Sequence, residues 1–313
     1  RQSKTASLDG DAPSVALYPS GILGWNFRAS GGNVKKWQSS YDYGGSSNLS
    51  NVWVSESGVK SDGSPHLLRK AQRKVIVEQL KSEIDTNQAI REDQRGFNAI
   101  ACPGYPELIS NMINLNTDRN NTAFVVGDTP LRLEGTSTSI QNWANNTASA
   151  LDNGEDGLVS ASDYLGVFYP SGLTTDNSGK SIVVPASHMM MRTIALSDQV
   201  SFPWFAPAGT RRGGISNATA VGFIDAATGE FQTVALNEGQ RDTLYDLKVN
   251  PITFFNGVGL VNYGQKTRAR NASALDRINV ARLVVYLRSQ LNKLARPYIF
   301  DPNAKITIDE VKQ

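Results

Sequence analysis

Short apolar runs alternate with segments of helical periodicity through the middle of the chain, and that alternation sets the expected architecture. The runs 97–103 (FNAIACP), 122–128 (TAFVVGD) and 164–170 (YLGVFYP) read as buried strands. Between them, 107–115 (ELISNMINL) and 136–148 (TSTSIQNWANNTA) read as helices. Apolar strands separated by helices predict an α/β layer with a largely parallel sheet, buried on both faces. The stretch 181–186 (SIVVPA) predicts a further strand, and 188–196 (HMMMRTIAL) continues the same body. Met189, Met190 and Met191 read as core filler, because the flexible thioether packs irregular gaps.

Upstream, Ser64 and Pro65 have the pattern of an N-cap and a first helical position. The helix that follows places Leu68, Ala71, Val75, Ile76, Leu80 and Ile84 on one broad apolar stripe. Residues 1–62 are rich in Gly, Ser, Asn and Tyr and read as a loop/β-rich peripheral segment. After Trp204, Pro and Gly punctuate the chain in PWFAPAGTRRGG (203–214), NPI (250–252), GVG (257–259) and GQKT (264–267). Runs at 220–225 and 231–236, around a turn at Ala227–Gly229, predict a hairpin, and a short polar helix is expected near 239–248. A long helix is read as starting at Ser273, with Asp276 three residues on as a capping box. Val280, Leu283, Val284, Leu287, Leu291 and Leu294 form its apolar stripe; Arg277, Arg282, Arg288, Lys293 and Arg296 occupy its other faces. The expected fold is α/β (α+β), a mixed sheet flanked by helices, organised as 1–62, 63–200 and 201–313.

Composition narrows the chemistry. A net charge of +2 gives no general pull toward nucleic acid or an anionic membrane. No apolar run approaches the ~20 residues needed to span a bilayer. Cys102 is the only cysteine, which excludes an intrachain disulfide and a thiolate zinc site; within its apolar run it reads as a small buried hydrophobe. His66 and His188 lack a metal spacing. SGKS (178–181) misses the phosphate-loop spacing, since six residues separate Gly172 from Gly179. GVG precedes Asn262 where a dinucleotide fingerprint needs its third glycine. DNGEDGLVSASD (152–163) resembles a calcium loop through Asp152, Asp156 and Asp163, but Gly154 replaces an oxygen ligand, and it reads as an acidic surface turn. No catalytic, cofactor-binding or metal residue is therefore assigned, and the Pro- and Gly-fixed peptides predict a shape used for assembly. Two alternatives stay open: a nucleotide-binding or hydrolytic enzyme built on the SGKS and GVG loops, and a nucleic-acid-binding module using Arg268, Arg270, Arg277 and Arg282.

Taken in order, YLGVFYPSG (164–172), PASHMMMRTIALSD (185–198), PWFAPAG (203–209), NPI, GQKT and DRINVARL (276–283) resemble the contractile tail sheath proteins of bacteriophages. The resemblance covers 95–300 and strengthens toward the C-terminus. It implies a structural, non-enzymatic subunit that stacks as hexameric rings around a tail tube and contracts to drive the tube through the host envelope for DNA delivery. The implied partners are further copies of itself, the tail tube protein, and baseplate and tail terminator proteins. The implied location is the virion, after synthesis in the host cytoplasm, with no cofactor, direct nucleic-acid contact or membrane insertion. Residues 201–313 would be the inner, tube-proximal part. Arg211, Arg212, Lys266, Arg268, Arg270, Arg277, Arg282, Arg288, Lys293 and Arg296 are then the expected interface residues, toward the tube or a neighbouring subunit. By the same resemblance, and because its first residue is Arg1, the chain is expected to lack the arms that link neighbours.

Overall fold

Four parallel strands and one antiparallel strand form the sheet on which the rest is built. This computed structural model describes residues 67–92, 94–225, 229–302 and 305; the expected 1–62 segment, the Ser64–Pro65 cap, His66 and Ala227 lie outside them. The chain divides into two compact units, 1–86 with 224–232, and 87–223 with 233–313.

In the first unit, α1 (Leu67–Thr86) buries Val77 at 5% exposure, whereas Ile76 is 45% exposed. Val77, Leu80 and Ile84 share one face at i, i+3 and i+7, and Ile76 lies off it. Of the expected stripe, Leu80 and Ile84 are half-buried and Ile76 is exposed; the side chains of Leu68, Ala71 and Val75 lie outside the described residues.

The second unit opens with β1 (Ala99–Ala101), α2 (Ile109–Asp118), β2 (Phe124–Asp128), α3 (Ser137–Ala144) and β3 (Leu165–Tyr169), as the alternating pattern predicts. Next come β4 (Ser171–Thr175), β5 (Ser181–Val184), α4 (Ala186–Val200) and the single turn α5 (Gly209–Arg212). The chain continues through β6 (Ala220–Ile224) and β7 (Phe231–Thr233), of which Ile224, Phe231 and Gln232 belong to the first unit, and then through α6 (Glu238–Asp246), β8 (Val249–Phe255), β9 (Gly259–Asn262) and α7 (Ile278–Ala295) of the second. The main sheet runs β1-β2-β3-β8-β9, parallel except for β8–β9. Strands from both sides of residue 200 thus share one sheet.

Both faces of that sheet are covered, which explains why β2 and β3 are buried at every position. Phe124, Val126 and Phe168 face Met189, Met190 and Ile194 of α4, together with Ile278, Ala281 and Val285 of α7. On the opposite face, a side chain at Gly127 would come within 3.4 Å of Ile109 in α2. Met189 and Met190 are fully buried, as expected of core filler; Met191 packs at the margin. Cys102, which follows β1, is only half-buried.

The near-miss nucleotide motifs are both hairpin turns. SGKS joins β4 to β5, with Asp176 Oδ1 accepting from the amides of Ser178 and Lys180. GVG joins β8 to β9, and its glycines supply the positive φ angles of +77° and +95° that the turn needs.

Asp128, at the C-terminal end of β2, is buried and ties three elements together. Its carboxylate accepts from the Gly104 amide (2.7 Å) and from both the amide (2.6 Å) and the hydroxyl (2.7 Å) of Ser187 in the first turn of α4. Burial outweighs these bonds and pushes its pKa up to about 6. The folded protein therefore holds a proton that the unfolded chain releases near the ordinary value of 3.8. The associated stability is present below that value and lost as pH rises through about 6. Relative to Asp128→Asn, the wild type is expected to lose about 2 kcal/mol between pH 4 and pH 7. Urea unfolding followed by tryptophan fluorescence measures it; a pH-independent difference between the two proteins would refute the assignment.

Candidate assembly interface

Two buried asparagines weave the Pro- and Gly-rich peptides into one unit. Asn250 of the NPI peptide donates from Nδ2 to the carbonyls of Val167 (3.0 Å) and Lys266 (2.9 Å), and its Oδ1 accepts from the Lys266 amide (2.7 Å). Asn262 donates to the carbonyls of Pro207 (2.7 Å) and Gly264 (3.0 Å). The PWFAPAG, NPI and GQKT peptides are thus fixed to β3, β8 and β9. Gly213 fits the same weave, since a Cβ there would stand 2.6 Å from the Asn262 carbonyl oxygen and 2.7 Å from the Gly209 nitrogen.

The weave also sets where α7 begins. Lys266 and Arg277 form an antiparallel bridge, Thr267 hydrogen-bonds the carbonyls of Leu275 and Asp276, and the Ile278 amide donates to Gln265. Arg277 is held extended (φ −115°, ψ 133°), so no helix can run through it. Ser273 consequently caps only a separate 3-10 turn, Ala274–Asp276, and the expected capping box does not form on α7.

The buried face of α7 is not the leucine stripe. Ile278, Ala281, Arg282 and Val285 point into the core. Leu287, Leu291 and Leu294 are 45%, 60% and 67% exposed. Arg282 accepts a core position because it pairs with Asp198 of α4, which keeps its charge from being buried unpaired.

The expected interface cations fall into three groups. Several are engaged within the subunit. Lys266 and Arg277 both lie over the Tyr245 ring, at 4.1 and 5.8 Å from its centroid, and Arg277 also reaches Asp276 at 3.2 Å. Arg268 donates to the carbonyls of Leu247 (2.6 Å) and Ala144 (3.2 Å), and burial lowers its pKa. Arg288 donates to the Asn120 carbonyl (3.0 Å) and covers the Tyr164 ring. Arg212 covers Phe205 at 4.3 Å and donates to Ser201. Arg211 and Arg270 are exposed. Lys293 and Arg296 are exposed too, and line a groove of about 580 Å³ between α7, the turn after α2 and the chain entering β1.

Sequence reading missed the other residues of that groove. Arg119 stacks on Phe97 at 4.0 Å and donates to the carbonyls of Ile90, Glu92 and Arg95. Arg91 pairs with Asp118 at 2.9 Å. Neither pairing has a local signal, since the partners are more than twenty residues apart. Among the described residues, no group of three or more His, Cys, Asp or Glu is placed to hold a metal ion, and no helix is long and apolar enough to cross a membrane.

Asn250→Ala leaves one amide and two carbonyls without their partner, and is expected to destabilise the fold by at least about 2 kcal/mol in chemical denaturation. An unchanged midpoint would show that the weave contributes nothing. The orientation of α7 is checked by a pair of variants. Ile278→Ala should cost about 2–4 kcal/mol, and Leu291→Ser less than about 0.5 kcal/mol. A large loss for Leu291→Ser would mean that the stripe is buried after all.

No protein-family model matches the chain. Over 129 residues, 41% of its length, the chain is 36% identical to the tail sheath protein of Vibrio phage KVP40. Over 124 residues, 40% of its length, it is 33% identical to that of Enterobacteria phage T4. These matches span only 18% and 17% of the two phage proteins. In fold, 75% of the chain superposes on 55% of a chain of the PVC sheath complex, an extracellular contractile injection system in its contracted state, with a TM-score of 0.53 and 19% identity. A chain of the contracted anti-feeding prophage baseplate superposes over 74% of this chain and 57% of its own length, with a TM-score of 0.54 and 20% identity. At such identities the structural likeness speaks for the fold alone, whereas the phage matches speak for descent. Over the matched residues the chain is thus similar in sequence to phage tail sheath proteins, and in fold to chains of contractile injection systems.

Proposed function

We propose that this chain is part of a structural sheath subunit that polymerises around a phage tail tube and contracts to drive the tube through the host envelope. The observation that carries the reading is the 36% identity to a phage tail sheath protein over 129 residues. The likeness to a chain of a contracted sheath complex supports it at the level of fold. Its partners are further copies of the subunit in stacked hexameric rings, the tube protein, and the baseplate and terminator proteins that close the two ends. The role is mechanical and non-enzymatic, and its place is the tail of the virion, after synthesis in the host cytoplasm.

Within this reading, residues 201–313 carry the inner, tube-proximal surface. The exposed Arg211 and Arg270 are its candidate tube contacts. Screened surface charges of this kind hold weakly enough to release when the array rearranges. The rival readings lose their support: SGKS and GVG are hairpin turns, and Arg268, Arg277 and Arg282 are occupied by partners inside the subunit. Electron microscopy of the whole protein, produced with its tube protein, tests the proposal. Hollow helical tubes, changing length between an extended and a contracted form, are the expected result. A whole protein that only ever yields dispersed monomers would sink it.

A further inference from the structure

The sequence holds two Asn-Gly pairs, Asn153–Gly154 and Asn256–Gly257, and the fold treats them in opposite ways. Such pairs are reactive because the backbone nitrogen that follows an asparagine can attack its side-chain amide. A glycine at the second position lacks the Cβ that would obstruct the attack. Whether the reaction proceeds then depends on how the folded chain holds the two groups.

Asn153 is locked. It is 3% exposed. Its Oδ1 accepts from the amides of Val159 (2.7 Å) and Ser160 (2.9 Å), and its Nδ2 donates to the hydroxyls of Ser110 (2.5 Å) and Ser160 (2.8 Å). The Gly154 nitrogen, which would be the nucleophile, donates to the Gly157 carbonyl (3.2 Å), and the Gly154 carbonyl accepts from the Trp143 indole (2.8 Å). Ring closure here has to break buried bonds.

Asn256 is free to react. It is exposed at the tip of the β8–β9 hairpin, in a turn closed by the Val258 amide on the Phe255 carbonyl (3.1 Å). Gly257 supplies the positive φ of +77° at the third position, as a type II turn requires. Among the described residues, no hydrogen bond engages the Asn256 side chain or the Gly257 nitrogen. A Cβ at Gly257 would meet nothing within 4 Å, so solvent reaches the pair and no packed neighbour resists rotation of its peptide toward the side chain. The strands below stay paired from Ile252–Asn262 to Phe255–Gly259 while the tip moves. Exposure alone is not enough, as the β4–β5 turn shows. Asn177 is exposed there, but the following nitrogen, of Ser178, is held by Asp176 Oδ1 (2.8 Å).

We infer that Asn256 is a site of spontaneous covalent modification, converting to aspartate and isoaspartate in the folded protein. Hydroxide removes the Gly257 amide proton, and the nitrogen forms a bond to Asn256 Cγ. The Cγ–Nδ2 bond breaks, and ammonia leaves with a proton taken from water, which returns the hydroxide. Water then opens the resulting succinimide at either carbonyl. Opening at Cγ gives aspartate; opening at the backbone carbonyl gives isoaspartate, whose main chain runs through the side chain and lengthens the turn. Water is consumed, ammonia is released and nothing is oxidised or reduced. Either product places a negative charge between Phe254 and Val258, which are 62% and 51% exposed.

Incubation of the folded 313-residue chain in mildly acidic and mildly alkaline buffer, followed by peptide mass mapping, tests the inference. The Asn256 peptide should gain the mass of an amide-to-acid change, at a rate that rises with hydroxide, and should become a substrate for an isoaspartyl methyltransferase. In the folded chain it should convert at least about tenfold faster than the Asn153 peptide, the factor expected from a single buried hydrogen bond that must break. In guanidinium the two peptides should convert at comparable rates, since glycine follows both asparagines. Asn256→Gln should leave the circular dichroism spectrum unchanged and remove the conversion at that position. Folded-state conversion of Asn256 no faster than that of Asn153 overturns the inference. So does a product without isoaspartate, or a difference between the two sites that persists in guanidinium. These outcomes are independent of whether the chain serves in a sheath.

Discussion

The amide group of Asn250 is the constraint on which the rest of the second unit depends. It sits in β8 with no exposure to solvent and bonds both β3 and the GQKT peptide. One residue therefore fixes a strand laterally and a returning segment above it. From Lys266 the chain bridges to Arg277, and that bridge decides where α7 starts. A hydrophobic residue at position 250 would fill the space and lose the alignment. Buried polar groups earn their place when every bond is made, because the low dielectric that strengthens satisfied bonds also punishes missing ones.

Placing α7 by its N-terminal end has a consequence further along. Its first two turns bury Ile278, Ala281 and Val285 over the sheet. Its last turns run past the core, so the same face there meets polar loops instead of strands and becomes one wall of the basic groove. Arg282 stands at the transition, buried like a core residue but charged like the groove, and Asp198 compensates it from α4. Leu287, Leu291 and Leu294, on the far side, remain exposed.

What was legible in the sequence follows from which interactions are local. The strands at 99–101, 124–128 and 165–169 announced themselves because a doubly covered sheet requires apolar side chains on both faces. The helices between them and the methionine core were legible for similar reasons. The face of α7 was not. A leucine stripe records that a helix is amphipathic, but the side turned to the core depends on Arg277, held extended by a bridge eleven residues upstream. The basic residues misled in the same way. Arg282 and Arg268 look like surface charges until Asp198, Leu247 and Ala144 are brought to them by the fold. The ordered peptides carried family resemblance without revealing that two asparagines join them.

Under the sheath role proposed above, the division between buried and surface polar contacts suits a subunit that must keep its shape while its neighbours move. Breaking the buried bonds of Asn250, Asn262 or Asp128 strands desolvated groups, at about 1–3 kcal/mol for each. The pairs at the rim are of a different order. An exposed ion pair contributes about 0–1 kcal/mol and weakens further in salt. Under a load that rearranges a lattice, contacts of the second kind give way while those of the first remain. A sheath needs two packings of one rigid body, with discrete arrangements at the interfaces and none inside. The weave around Asn250 provides that rigid interior, and the cations and leucines left at its surface are where two packings can differ.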